Sequence, residues 1–304
     1  MISPPYLKQG DTIAIIATAR KVSNEEMRPA IKILTEWGLK VVEGKNLYKQ
    51  QNQFAGSDSE RLEDFQNALD DSTINAILFA RGGYGTVRII DKVDFSKFKK
   101  NPKWIIGYSD ATVIHSHVHT HFGIETIHGP MAFNFPKSPD YILDSLKQIL
   151  FGNSFKCQTS NFKLDRKGTA KGILTGGNLS LLYALNNSPS DIDTKNKILY
   201  IEDLDEYLYH IDRMMMSLKR SGKLKGLAGL IVGGMTEMKD NTIPFGKTAE
   251  EIIAEHVAEY DYPVCFNFPA GHIPNNHPLI FGREVELIVQ EKVSLNFLNN
   301  SILQ

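Results

Sequence analysis

Between residues 12 and 106 the chain alternates short apolar runs with helical patterns, and no other property narrows its fold as much. Residues 12–18, Thr-Ile-Ala-Ile-Ile-Ala-Thr, read as a buried strand. Ser23-Asn24-Glu25-Glu26 then opens a helix whose apolar positions Met27, Ile31, Leu34 and Trp37 fall three or four apart until Gly38 ends it. Further strands are expected at 39–42, 74–80 and 104–106. An amphipathic helix at 59–69 carries Leu62, Phe65 and Leu69 on one face. Strands separated by helices pair in parallel through right-handed crossovers, so the expectation is an α/β chain with a doubly wound parallel sheet. Such sheets bind ligands beyond the carboxyl ends of their strands. The two least ordinary loops, Arg81-Gly82-Gly83-Tyr84-Gly85 and Gly107-Tyr108-Ser109-Asp110, sit at two of those ends.

After about residue 150 the texture changes. Strand-like runs at 198–201, 227–232, 264–268, 284–289 and 293–297 are interleaved with helical patterns at 179–185, 211–218 and 249–260. The last two runs adjoin across Gln290-Glu291-Lys292 and read as an antiparallel hairpin. The expected organisation is an N-terminal α/β domain over 1–150, a polar connecting loop over 151–170, and a smaller mixed domain over 171–304. A length of 304 residues suits two domains. Lys and Arg number 34 against 35 Asp and Glu, a balance that calls for neither nucleic acid nor a membrane surface. No apolar stretch is long enough to cross a bilayer, and the first residues lack the pattern of a secretory signal. A small molecule or peptide is the expected partner. Two cysteines, Cys157 and Cys265, are too few for a disulfide framework and read as free thiols in a cytoplasmic protein.

A buried strand ends at Gly107, and a helix can begin at Asp110. Gly107 and Ala111 flank Ser109 two residues away on either side. A turn that sharp excludes bulky neighbours and pushes the serine out at the top of the sheet, as a nucleophile elbow does. The Asp110 N–H would face the same space at a helix N-terminus, where negative charge is favoured. The competing reading is that Ser109 and Asp110 only cap the next helix. The 81–85 loop has three readings. Its glycines permit a close backbone approach, so the N–H of Gly82 or Gly83 could be a second oxyanion donor. It could instead cradle a phosphate at a helix near Thr86, although its spacing fits neither a P-loop nor the dinucleotide fingerprint. It could also be a structural turn.

An activated serine needs a base, and the base needs an acid to orient it. His115, His117, His119 and His121 come after the elbow and read as a solvated helix face rather than a metal site, because Glu125 lies beyond Gly123. Neither a metal nor a cofactor is expected. His128 ends a strand, and His210 starts a helix. His272 comes after a strand end in a loop framed by Gly271 and Pro274, where it is either a positioned base or a turn cap. Glu202 and Asp203 come directly after a buried strand, and either could be the acid. The order Ser109, Glu202, His272 matches that of hydrolases with a nucleophile elbow.

Taken in order, Ala80-Arg81-Gly82-Gly83-Tyr84-Gly85, Gly107-Tyr108-Ser109-Asp110, His128-Gly129-Pro130, Gly176-Gly177-Asn178, Ile201-Glu202-Asp203, Tyr209-His210-Ile211-Asp212-Arg213 and Gly271-His272 resemble the LD-carboxypeptidase family of serine peptidases, which includes the microcin-immunity peptidases. The resemblance spans nearly the whole chain. It implies an N-terminal domain similar to class I glutamine amidotransferases, a C-terminal swivelling β/α domain, and an active site between them. It assigns Ser109 as nucleophile, His272 as base, Glu202 as orienter, Gly83 and Asp110 as oxyanion donors, and Asn178 as a substrate contact. It further implies a homodimer that needs no metal and releases the terminal D-alanine from murein tetrapeptides in cell-wall recycling. Arg81 and Arg213 are candidates for the substrate carboxylate, since a guanidinium can grip it with two bonds, and each could equally be a structural ion-pair partner. The immunity branch cleaves peptidyl-nucleotide antibiotics and is expected to stack the base on an aromatic side chain, often Trp. Residues 136–171 contain no Trp, which favours the murein substrate, although Phe155, Phe162 or a tyrosine could substitute.

Overall fold

The computed structural model describes residues 1–153 and 155–298. Five parallel strands come first: β1 (Thr12–Ile16), β2 (Lys40–Glu43), β3 (Ile74–Phe79), β4 (Trp104–Gly107) and β5 (Thr126–His128). Helices α1 (Asn24–Glu36), α2 (Asp58–Asp70), α3 (Ser96–Lys100), α4 (Thr112–Phe122) and α5 (Asp140–Leu150) wind around them. The start of α1 is fixed by its sequence. Ser23 Oγ accepts the Glu26 N–H at 3.3 Å, while the Glu26 carboxylate accepts the Ser23 N–H at 2.8 Å. An N-cap of this kind is worth about 1 kcal/mol. Gly38, at φ +87°, turns the chain out of the helix. Strand side chains alternate between two apolar layers. Ile13, Ile15, Leu78 and Ile106 pack with Met27 and Leu34 of α1 and Leu146 of α5. Ala14, Ile16, Ile77 and Ile105 pack with Phe65 of α2 and Val113 of α4. With both faces covered, the ends of β3 and β4 are where the chain can meet a ligand.

The rest of the chain forms β6 (Lys156–Ser160), β7 (Gly168–Asn178), β8 (Lys197–Leu204), β9 (Gly229–Thr236), β10 (Val264–Cys265), β11 (Leu279–Phe281), β12 (Glu284–Val289) and β13 (Lys292–Phe297), with helices α6 (Leu179–Leu185), α7 (Leu208–Arg220) and α8 (Ala249–His256). Seven of these strands make a second sheet in the order β10-β9-β8-β7-β12-β13-β6. Its β7 to β10 half is parallel, and the expected β12–β13 hairpin is antiparallel. Along β8, Leu199 and Ile201 join Ile211 of α7 and Ile253 of α8 in one core. Ile198 and Tyr200 point the other way and pack with Phe281 of β11.

Three features differ from the expectation. The 151–170 segment is not simply a loop, because it contains β6 and the first residues of β7. β6 is an edge strand paired to β13, and only Cys157 within it is buried, so its sequence carries no apolar rhythm. The second sheet, which the expectation placed in a smaller domain, has seven strands against six in the first. Nor do the halves separate cleanly, since β11 returns to the first sheet and lies antiparallel beside β5, with Leu279 opposite His128.

Candidate active site

β4 delivers the chain to Ser109, which takes φ +62°, a left-handed conformation that costs a non-glycine residue about 1 kcal/mol or more. Small neighbours make the turn possible. A Cβ on Gly107 would stand 2.8 Å from the Phe79 ring and 3.0 Å from Ala111. Neither Ser109 nor Asp110 caps the helix beyond the turn. The Asp110 carboxylate instead accepts the Thr86 N–H at 2.9 Å, tying the elbow to the neighbouring glycine-rich loop. Burial pushes the Asp110 pKa up to about 6, against the opposing pull of bonds from Thr86 and Gly85 and the charge of Arg61.

The 81–85 loop lies against this turn. A Cβ on Gly82 would stand 3.0 Å from Ser109 Oγ, so the glycine permits the contact. Gly83 and Gly85 take φ +119° and +151°, and a Cβ on Gly85 would stand 2.5 Å from the buried Arg61 guanidinium. The loop leads into a 3-10 turn, Thr86–Arg88, too short to present a helix N-terminus to a phosphate.

Glu202 on β8 is fully buried, and its Oε2 accepts from His272 Nδ1 at 2.6 Å and from the His272 backbone N–H at 3.1 Å. Gly271, at φ +102°, allows this approach, because a Cβ there would stand 2.7 Å from the same oxygen. With Nδ1 engaged, Nε2 is the nitrogen left for proton transfer. Burial works against a charged His272, but the charge and hydrogen bond of Glu202 outweigh it, with help from Asp203 and Glu237, and the pKa is raised. Asp203 turns away to accept from Asn178 Nδ2 at 2.9 Å and the Ser180 N–H at 2.8 Å. Burial, followed by the Glu202 charge, pushes its pKa up to about 7. Of the two carboxylates, Glu202 meets the histidine. The His272 ring packs on Tyr108, with centroids 4.8 Å apart, so the imidazole lies beside the residue preceding Ser109. Tyr108 and His272 line a cavity of about 530 Å³ together with Phe133, Lys137, Glu237 and Asn276. A strained serine, a carboxylate-oriented imidazole and a close backbone loop are the parts that covalent acyl transfer requires.

Two family models match in succession, the LD-carboxypeptidase N-terminal domain over residues 13–129 and the LD-carboxypeptidase C-terminal domain over 171–287. A probable murein peptide carboxypeptidase of Bacillus subtilis (strain 168) is 35% identical over 306 residues, spanning 96% of this chain and 93% of the relative. The chain belongs to the LD-carboxypeptidase family. Among solved structures, a muramoyltetrapeptide carboxypeptidase from Oxalobacter formigenes is 27% identical with a TM-score of 0.86, covering 95% of this chain and 99% of that one. An MccF-like protein from Bacillus anthracis str. Ames is 26% identical with a TM-score of 0.85, covering 99% of this chain and 100% of that one.

The other expected residues of this LD-carboxypeptidase family member have protein partners of their own. Asn178, expected to touch substrate, is 3% exposed and caps α6: its Oδ1 accepts from the Leu181 N–H at 3.2 Å and from Ser180 Oγ at 2.7 Å. Its own N–H donates to Thr112 Oγ1 at 3.0 Å, three residues past Ser109. Gly177 brings the backbones that close, since a Cβ there would stand 2.5 Å from Thr112 Oγ1. Sequence reasoning missed Thr112, and the paired glycines before Asn178 were the available signal. Arg81 lies 4.1 Å above the ring of cavity-lining Phe133 and 3.8 Å from Glu26. Arg213 stacks on Tyr209 and borders a different surface depression with Asn186 and Arg220. Phe155 packs on His277 and Phe297, and Phe162 on Phe266, and neither lines the cavity.

The histidines of α4 are not a solvated face. His115 and His119 are buried: His115 Nε2 donates to Gly107 O at 2.9 Å and His119 Nε2 meets Thr126 Oγ1 at 3.1 Å, while His117 meets Ser190 Oγ at 2.9 Å. Of the four, only His121 is exposed. The reason is that α4 is packed both on the first sheet and against α6 and β7. Burial lowers the pKa values of His115 and His117 to about 4 and that of His119 to about 3. Among the described residues, no group of three or more His, Cys, Asp or Glu is placed to hold a metal ion, and no helix is long and apolar enough to cross a membrane.

Proposed function

We propose that this chain is a serine carboxypeptidase that releases the terminal D-alanine from murein tetrapeptides, through a Ser109–His272–Glu202 triad. The observation that carries the reading is the Glu202–His272 pair packed on Tyr108, next to the strained Ser109. The family, and the murein substrates in the names of the Bacillus subtilis and Oxalobacter formigenes proteins, support the substrate class.

His272 Nε2 takes the Ser109 proton as Oγ attacks the carbonyl carbon of the third residue's L-centre. Glu202 stabilises the imidazolium through Nδ1. The N–H groups of Gly83 and Asp110 hold the oxyanion, and losing one such donor costs about 3 kcal/mol of transition-state stabilisation. His272 then gives its proton to the D-alanine nitrogen as the C–N bond breaks. Water, deprotonated by the same imidazole, hydrolyses the acyl-enzyme, freeing the tripeptide and Ser109. Arg81, above cavity-lining Phe133, is the guanidinium better situated for the substrate carboxylate. We assign the reaction to a cytoplasmic homodimer. The free, buried Cys157 and Cys265 are compatible with a reducing compartment.

The test is mass spectrometry of the lysine-type and diaminopimelate-type tetrapeptides after incubation with wild type and Ser109→Ala. Loss of one alanine with wild type alone is expected, and intact peptides would overturn the reading. The likeness to the MccF-like protein supports a second reading, cleavage of a peptidyl-nucleotide antibiotic. An aminoacyl-sulfamoyl adenosine in the same assay separates the two: its hydrolysis beside intact tetrapeptides favours the second.

A further inference from the structure

Four side-chain polar atoms are buried without a hydrogen-bond partner around the Glu202–His272 pair: Glu202 Oε1, Tyr200 Oη, and both ring nitrogens of His128. All three residues are 0% exposed. They belong to one neighbourhood. The His128 ring meets the Tyr200 ring edge-on at 5.0 Å and the Tyr108 ring at 5.8 Å, and Tyr108 in turn packs on His272. Tyr200 and Glu202 stand two residues apart on β8, in unbroken register with Gly176 to Asn178 of β7. The Ala270-Gly271 turn lies over both. A Cβ on Gly233 would stand 2.6 Å from both Tyr200 Oη and Ala270 O, and one on Gly271 would stand 2.7 Å from Glu202 Oε2.

Such atoms are costly to leave unpaired, and buried polar groups that lack a protein partner characteristically share ordered water. The chemistry of the three groups is complementary. Burial and the Glu202 charge keep Tyr200 protonated, so it is a donor. Burial, with His115 and His272 nearby, keeps His128 neutral, with one donor and one acceptor nitrogen. Glu202 Oε1 can only accept when ionised. We propose that Tyr200 and His128 are positioning residues for Glu202, holding its Oε1 through one buried water while Oε2 holds His272. Glu202 is then fixed at both oxygens, so it cannot rotate off Nδ1 when the imidazole gains its proton. This inference rests on the triad proposed above but is independent of the substrate.

The experiment measures the second-order rate of Ser109 labelling by a fluorophosphonate across pH, and D-alanine release, for wild type and Tyr200→Phe. Rates are normalised to the active sites titrated. The expected result is a labelling rate and kcat about tenfold lower with KM unchanged. The acid limb should move to lower pH, because a Glu202 free to rotate off Nδ1 supports the imidazolium less. Asp203, Glu237 and Tyr108 also act electrostatically on His272 or Glu202, but they are common to both proteins and cancel in the comparison. His128→Asn, which keeps a donor and an acceptor, should retain most of the rate that His128→Leu loses. Unchanged rates and limb in Tyr200→Phe, even with a lower melting temperature, would overturn the proposal and leave a merely structural tyrosine. Should these variants fail to fold, a high-resolution crystal structure of wild type decides. A solvent peak bonded to both Glu202 Oε1 and Tyr200 Oη supports the proposal, and its absence overturns it. If labelling follows the expected pattern while D-alanine release is absent throughout, the murein reading fails and the positioning role stands. No labelling of wild-type Ser109 would sink both.

Discussion

Asp110→Asn removes one buried charge while keeping the oxygen that accepts the Thr86 N–H. Burial holds the carboxyl near pH 6 against an ordinary value of 3.8. The folded state therefore binds this proton more tightly than the unfolded chain does. Its contribution to stability is full below about pH 4, declines as the pH rises towards 6, and is gone above that. A gap of about two pKa units corresponds to about 3 kcal/mol. Asparagine has no proton to exchange, so its new N–H group sets a constant offset rather than a slope. The difference in unfolding free energy, wild type minus variant, should fall by about 3 kcal/mol between about pH 4 and pH 7. Urea titrations at several pH values measure it, and every other titrating group cancels in the difference. A difference that stays flat across the range would refute the claim that Asp110 is held protonated at mildly acidic pH by burial.

Ser109→Ala should abolish fluorophosphonate labelling without lowering the melting temperature. Ser109→Gly should raise stability by about 1 kcal/mol in denaturant titrations, because the φ of +62° is left-handed. Glu202→Gln should lower kcat by about 10⁴-fold and move the acid limb of kcat/KM to lower pH, since the charge that raises His272 is gone. An unmoved limb would assign the raised His272 to other groups. Gly177→Ala should lower kcat by about a hundredfold with a smaller relative loss of stability, because its Cβ would press on Thr112 and shift the two sheets against each other. Parallel losses in kcat and melting temperature would count against that reading.

How much of the fold is legible in the sequence depends on which physical signals are local. The strands β1, β3 and β4 are buried on both faces, so each is a continuous apolar run bounded by polar chain. α1 announces itself through Ser23 and Glu26. α5 is absent from the sequence expectation although Ile142, Leu146 and Ile149 recur at helical spacing, so its signal is present. β6 and β11 have none: one is a polar edge and the other three residues long, and both are strands only because of distant partners. Ser109, Glu202 and His272 stand out as candidates because each lies at or just beyond a strand, where open α/β sheets meet their ligands. The α4 histidines mislead because a polar residue is not always an exposed one, and burial between two layers depends on the second half of the chain.

At the junction between those halves the Gly176-Gly177-Asn178 segment has a structural task. The proposed nucleophile belongs to the first sheet, and the proposed acid and base to the second. Ser109 lies three residues before Thr112, whose hydroxyl takes the Asn178 N–H. Asn178 is in turn the β7 partner of Glu202, and Glu202 holds His272. A short path of backbone and hydrogen bonds thus runs from Ser109 to His272 across the junction. Gly176 and Gly177 have no room for a side chain on it: a Cβ on the first would overlap Tyr200 O, and one on the second would stand 2.5 Å from Thr112 Oγ1. On this geometry the segment ties the turn at Ser109 to the Glu202–His272 pair across the two sheets.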